Sequence, residues 1–153
     1  MLLNNQMKQI MKKILTISAA LFLFAALAVA DDRPVTLDQL PEAARTFIDA
    51  NFAGEKILYA SKEDDLILPD YKVALSNGSF LEFYNNGSLK SVESKYGIST
   101  DLIPVQIVEF AKVRYPDASF LEYEVTRHHY EVKLSNHLEL KFNKNYNLME
   151  IDD

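Results

Sequence analysis

Apolar residues recur at helical spacing in two places. Leu40, Ala44, Phe47, Ile48 and Phe52 form one set, and Ile103, Ile107, Phe110, Ala111 and Tyr115 form the other. Each set predicts a helix with one apolar stripe. Pro41 and Pro104 suit the first helical turn, where a missing N–H costs nothing. Gly54 and Pro116 should stop the helices near Phe52 and Tyr115. The aromatic positions of both stripes read as core. After each helix the residue types change. Residues 56–62 and 119–126 are rich in β-branched, aromatic and long apolar side chains, and the segments that follow alternate with period two, which predicts antiparallel strands.

Alternation also sets the hairpin register. A two-residue turn at Asn77-Gly78 would place Val73 opposite Glu82, and its counterpart would place Val132 opposite Lys141, putting charge on the apolar face twice. Three-residue loops, Ser76-Asn77-Gly78 and Ser135-Asn136-His137, instead pair Val73 with Leu81, Tyr71 with Phe83, Val132 with Leu140 and Tyr130 with Phe142. The third loop residue should then be left-handed, freely for Gly78 and at some cost for His137. Further turns are expected at Asn85-Asn86-Gly87 and Lys144-Asn145-Tyr146, leading to short final strands over 89–93 and 148–151 whose register the pattern leaves open.

The same order of signals thus occurs twice. Pro41 and Pro104 stand 63 residues apart, and Tyr71 and Tyr130 stand 59 apart, so the first copy carries four extra residues within 63–70. The expected fold class is α+β: a tandem repeat of one helix plus about four antiparallel strands, at 31–93 and 102–153, connected by 94–101. The two sheets should join or lie side by side as a surface of about eight strands, with both helices on one face.

Residues 1–30 have a different character. Lys8, Lys12 and Lys13 precede an uncharged apolar run over 14–30 that ends Ala28-Val29-Ala30, the pattern of a secretory signal peptide cleaved after Ala30. An uncleaved anchor is the alternative, but the run lies at the short limit for crossing a bilayer. There is no cysteine, so neither a disulfide nor a lipid-bearing cysteine is available. The expectation is a periplasmic or secreted protein with no stable membrane insertion after cleavage.

Three of the 16 basic residues precede residue 31, so from there onward 13 stand against all 22 acids, a net charge of −9. This balance disfavours nucleic acid and anionic lipid as partners. The chain has no Gly-rich phosphate loop, no Gly-x-Ser-x-Gly elbow and no His-Glu-x-x-His pair. His128 and His129 are adjacent on an expected strand and point to opposite faces, and His137 lies about 25 Å along it, so the three do not converge on a metal. His128 or His129 with Glu122 or Glu124 is the remaining metal pairing. No cofactor, metal site or catalytic residue is expected.

If the apolar strand residues face the helices, Lys72, Ala74, Glu82 and Tyr84 face the other way, as do Glu131, Lys133, Glu139 and Lys141. Two readings fit this face: a solvated sheet surface and a docking surface. The four-residue excess places Asp64, Asp65, Leu66 and Ile67 in a loop absent from the second copy. That loop reads either as an apolar tip rimmed by charge, as at interfaces, or as an extension of the following strand. Candidate partner-binding residues are Asp64, Asp65, Leu66, Ile67, Lys72, Glu82, Tyr84, Lys133 and Lys141. The functional expectation is a non-enzymatic exported protein that binds an envelope or extracellular protein or peptide, as an inhibitor or regulator of an enzyme. An envelope sensor of a small ligand or cation is the alternative.

The Leu/Ile-Pro helix start, the aromatic helix end and the Tyr-x-Val-x-Leu-Ser-Asn strand and turn followed by Leu-x-Phe, repeated behind a signal peptide, resemble the exported PepSY-like, β-lactamase-inhibitor-like proteins of bacteria. The resemblance spans residues 36–151. It implies tandem α/β units whose sheets form a concave platform, and relatives that inhibit or regulate enzymes. The chain has no cysteine for the disulfides of the β-lactamase inhibitory protein.

Overall fold

The computed structural model describes residues 32–63 and 70–153. Chain order is β1 (Asp32–Pro34), a 3-10 turn (Leu37–Gln39), α1 (Glu42–Asn51), β2 (Ile57–Glu63), β3 (Tyr71–Leu75), β4 (Phe80–Phe83) and β5 (Leu89–Glu93). A second 3-10 turn (Thr100–Leu102) is followed by α2 (Val105–Arg114), β6 (Phe120–Val125), β7 (His129–Leu134), β8 (Glu139–Asn143) and β9 (Leu148–Asp152). All nine strands belong to one open sheet, ordered as in the sequence. The pairs from β2 to β9 are antiparallel. The fold is α+β, with nine strands where about eight were expected. The ninth is β1, which is three residues long and contains Pro34, too short to show a period.

Local chemistry explains the helix ends. Pro41 and Pro104 stand one residue before the first helical turn, at φ −53° and −52°, where the fixed ring aims the chain into the helix. Ahead of them, Thr36 N–H donates to Gln39 Oε1 at 2.9 Å, and Ser99 Oγ accepts from Asp101 N–H at 3.2 Å, which satisfies donors of the 3-10 turns. Gly54, at φ +89°, turns the chain after α1.

The three-residue hairpin loops are present in both halves. Val73 pairs with Leu81 and Tyr71 with Phe83, and Val132 pairs with Leu140 and Tyr130 with Phe142. Gly78 and His137 are left-handed, at φ +82° and +71°. The shared Ser-Asn sequence has a physical cause. Ser76 Oγ accepts from Lys56 N–H at 2.9 Å, and Ser135 Oγ from Ser119 N–H at 3.0 Å, tying the loops to the residues just before β2 and β6. Asn77 and Asn136 accept from the N–H groups of Ser79 and Leu138, closing an Asx turn in each loop.

Four bulges complete the register. Leu58 interrupts the β2–β3 ladder and Leu121 the β6–β7 ladder. Lys90 interrupts the β4–β5 ladder and Met149 the β8–β9 ladder. The resulting apolar row Ala60, Val73, Leu81, Val92, Tyr123, Val132, Leu140 and Ile151 crosses eight strands on one face. Both helices pack on that face. Phe47 meets Phe83 edge-on at 5.7 Å, and Phe110 meets Phe142 edge-on at 5.2 Å. Phe83 and Phe142 are fully buried, and each stabilises the fold by about 1.5–3 kcal/mol. No α-helix covers the other face among the described residues.

The turns ahead of β5 and β9 make different contacts. Gly87, at φ +82°, brings the β4–β5 turn so close to α1 that a Cβ there would lie 2.8 Å from Pro41 Cβ and 2.9 Å from the Ala44 nitrogen. Tyr146 holds the same place in the β8–β9 turn at φ +64°, and its ring stacks on Tyr130 at 5.4 Å, which in turn stacks on Tyr123 at 6.2 Å.

Candidate functional site

Strand pleating turns every residue next to the apolar row toward the face that no helix covers among the described residues. Ladder pairing makes Ser61, Lys72, Glu82, Ser91, Glu124, Glu131, Lys141 and Glu150 a continuous row across β2 to β9. Beside it, Glu93, Glu122, Lys133, Glu139 and Asp152 form a second row. The expected residues Lys72, Glu82, Lys133 and Lys141 therefore share one surface. Asp64, Asp65, Leu66 and Ile67 lie outside the described residues. The four-residue difference falls between β2 and β3: Glu63 N–H donates to Asp70 C=O at 2.8 Å, and Thr126 N–H to His129 C=O at 3.0 Å across a much shorter turn.

Tyr84 has a structural occupation. Its hydroxyl donates to the Val125 carbonyl at 2.7 Å, reaching from the end of β4 past β5 to β6. Burial raises its pKa, which Lys90 opposes and Glu124, Asp70 and Glu82 reinforce. Lys90, one of the bulge residues, is 2.7 Å from Asp70 and 3.2 Å from Glu82. Burial alone would lower the Lys90 pKa, but the hydrogen bonds it donates to these two carboxylates outweigh it and hold the ammonium well above its usual range.

The centre of the face is acidic. Glu93 stands opposite Glu122 across β5–β6, and Glu124 opposite Glu131 across β6–β7. Like charges directly opposite are unfavourable in a ladder. Burial, followed by Glu93, raises the Glu122 carboxyl above its ordinary value, and Lys133 only partly offsets this. Glu139 is raised too, first by a hydrogen bond with Glu131 and then by burial. Toward β9 the charges alternate: Lys141 lies 3.5 Å from Glu131 and 3.2 Å from Glu150. Ser61, at the head of the row, is fully buried, and its hydroxyl has no hydrogen-bond partner among the described residues.

None of Glu93, Glu122, Glu124 and Glu131 is among the candidate partner-binding residues that the sequence offers. The hairpin places Glu131, but its grouping with Glu93, Glu122 and Glu124 follows from the β5–β6 and β6–β7 pairings, the first of which no local turn specifies. The alternation Glu122-Tyr123-Glu124 beside Ser91-Val92-Glu93 was the available signal.

The histidines do not gather. His128 lies in the β6–β7 turn rather than on a strand. His129 opens β7, with Nδ1 3.0 Å from Thr126 Oγ1 and Nε2 3.6 Å from Glu131. His137 occupies the far hairpin loop. Among the described residues no three His, Asp or Glu side chains are grouped to hold a metal ion, and no helix is long and apolar enough to cross a membrane. Among the described residues, three open grooves of about 330–690 Å³ lie at the helix side and loop ends, and none of these three is lined by the acidic rows.

A family model described as "Putative beta-lactamase-inhibitor-like, PepSY-like" matches the chain twice, over residues 29–90 and 69–150. The chain belongs to this PepSY-like family. Three solved structures resemble this PepSY-like chain along most of its length. A "putative periplasmic protein" of the DUF2874 family from Bacteroides vulgatus is 38% identical, with TM-score 0.76 over 81% of this chain and 98% of its own. A "putative calcium-regulated periplasmic protein" from Bacteroides thetaiotaomicron is 36% identical, with TM-score 0.76 over 80% and 97%. A second Bacteroides vulgatus protein, "of unknown function", is 30% identical, with TM-score 0.75 over 80% and 99%. No curated protein sequence matches the chain.

Proposed function

We propose that this PepSY-like chain is an exported, non-enzymatic binding protein whose uncovered sheet face takes a basic segment of an envelope or extracellular protein, so inhibiting or regulating an enzyme. The supporting observation is the carboxylate quartet of Glu93, Glu122, Glu124 and Glu131 on three adjacent strands. Two like-charge pairs in adjacent ladders cost stability, and a Lys- or Arg-bearing partner relieves that cost on binding. Lys72, Glu82, Tyr84, Lys133 and Lys141 frame the quartet, with Asp64, Asp65, Leu66 and Ile67 supplying specificity from the loop. The domain reading that accompanies this is a signal peptide at 1–30 cleaved on export to the periplasm, then two diverged copies of a helix plus four strands at 31–93 and 102–153, joined by 94–101. The three periplasmic descriptions and the apolar run over 14–30 support the compartment.

The experiment is affinity capture from envelope extract with immobilised protein, alongside a Glu122→Gln/Glu124→Gln variant. A partner retained by the unaltered protein, released by salt and lost by the variant supports the reading. Equal capture by both removes the quartet from the site.

The same carboxylates favour one second reading, a small cation as ligand, since a cation relieves their repulsion equally well. One relative's description as calcium-regulated belongs to that protein. A calcium titration decides: a saturable thermal shift that the Glu122→Gln/Glu124→Gln variant loses would replace the protein partner with an ion.

A further inference from the structure

β5 and β9 are the same element in two settings. Each follows a three-residue turn, carries a bulge after its first residue and pairs with the strand before it, so that Ser91, Val92 and Glu93 correspond to Glu150, Ile151 and Asp152. β5 is closed on its other side by β6, where Ser91 meets Glu124, Val92 meets Tyr123 and Glu93 meets Glu122. Among the described residues nothing pairs with the outer side of β9. The effect on the core row is direct: Val92 is 0% exposed, whereas Ile151 is 43% exposed, and all five residues of β9 are exposed. Leu148 and Met149 add to this uncovered apolar surface. A row of free backbone donors and acceptors beside exposed apolar side chains is a template for an added strand.

We propose that the outer edge of β9 docks an extended segment of a partner protein in which one large apolar or aromatic residue stands between two Lys or Arg residues. The β5–β6 seam supplies the geometry. Its Tyr123 position, set on β9, covers Ile151, and its Glu124 and Glu122 positions fall opposite Glu150 and Asp152. Charge then selects the occupant. Acidic residues at these two positions would repeat the unfavourable Glu93–Glu122 contact, whereas basic residues pair with both carboxylates. A second copy of this chain is disfavoured for the same reason, because pairing β9 with β9 brings Glu150 and Asp152 of the two copies together. The opposite edge is guarded: β1 is only three residues long and includes Pro34. The inference rests on the matching registers of the two halves and is independent of a partner on the sheet face.

The test uses isotope-labelled protein and a capped peptide of the Phe120–Val125 sequence carrying Glu122→Lys and Glu124→Lys. Expected are saturable binding, slowed amide exchange over residues 148–152, and affinity about tenfold higher than for the unaltered acidic peptide. A Glu150→Lys/Asp152→Lys protein should reverse that preference, while a scrambled lysine peptide slows no amides. The proposal is overturned by absent binding, by perturbation centred on Glu122, Glu124 and Glu131 instead of β9, by charge reversal without effect, or by a protein already paired through β9 before peptide is added.

Discussion

Glu93 on β5 faces Glu122 on β6 directly across the pairing that joins the two helix-and-strand sets. Because burial and Glu93 raise Glu122 above its ordinary value of 4.5, its ionisation opposes folding. The sign follows: the favourable contribution is present below 4.5 and is lost as pH rises through the elevated value. Glu122→Gln should therefore be more stable than the unaltered protein at pH 7, with the gap closing as pH falls toward 4.5. Urea denaturation of both proteins across that range measures it, and a constant gap would contradict the assignment.

Tyr84 links the halves through its hydroxyl bond to the Val125 carbonyl. Tyr84→Phe keeps the ring and removes the bond, which should cost about 1 kcal/mol. Hydrogen exchange should also quicken at the junction of β4, β5 and β6 more than at β2 or β9. Uniform acceleration would mean that the hydroxyl does not fasten this seam.

Gly87 and His137 test the turns in opposite directions. Gly87→Ala drives a Cβ against Pro41 and the backbone of Ala44 at a positive φ, and should cost about 2–4 kcal/mol. His137→Gly relieves a left-handed residue in an exposed loop and should stabilise by about 0.5–1 kcal/mol. Thermal melts of the two variants should shift in opposite senses.

Ser61 is buried with its hydroxyl unpaired among the described residues. Ser61→Ala removes a group whose desolvation is uncompensated, so stability should stay level or rise by about 1 kcal/mol. A loss of stability would reveal a partner for the hydroxyl.

Legibility in the sequence tracked the locality of the cause. The hairpins could be read because Tyr71, Val73, Leu81 and Phe83 alternate cleanly, and only a three-residue loop keeps them on one side. The bulges could not, since runs such as Ile57-Leu58-Tyr59 and Phe120-Leu121 break the period without showing which residue is extra. The β5–β6 pairing was hidden for another reason. It joins segments separated by a whole helix, and its register is set by packing on Val92 and Tyr123, not by any turn. The grouping of Glu93, Glu122 and Glu124 with Glu131 stayed hidden with it, while Lys72, Glu82, Glu131, Lys133 and Lys141 could be placed from the hairpins alone.

Strand order follows chain order throughout, without a crossover. Every ladder is therefore closed by residues not far along the chain, and the longest loop closure between paired strands is the one that carries α2. A β-rich chain wired this way has little of the long-range search that slows sandwiches and barrels, so collapse should be rapid and hairpins should form first. Quick acquisition of a compact shape thus follows from the connectivity alone.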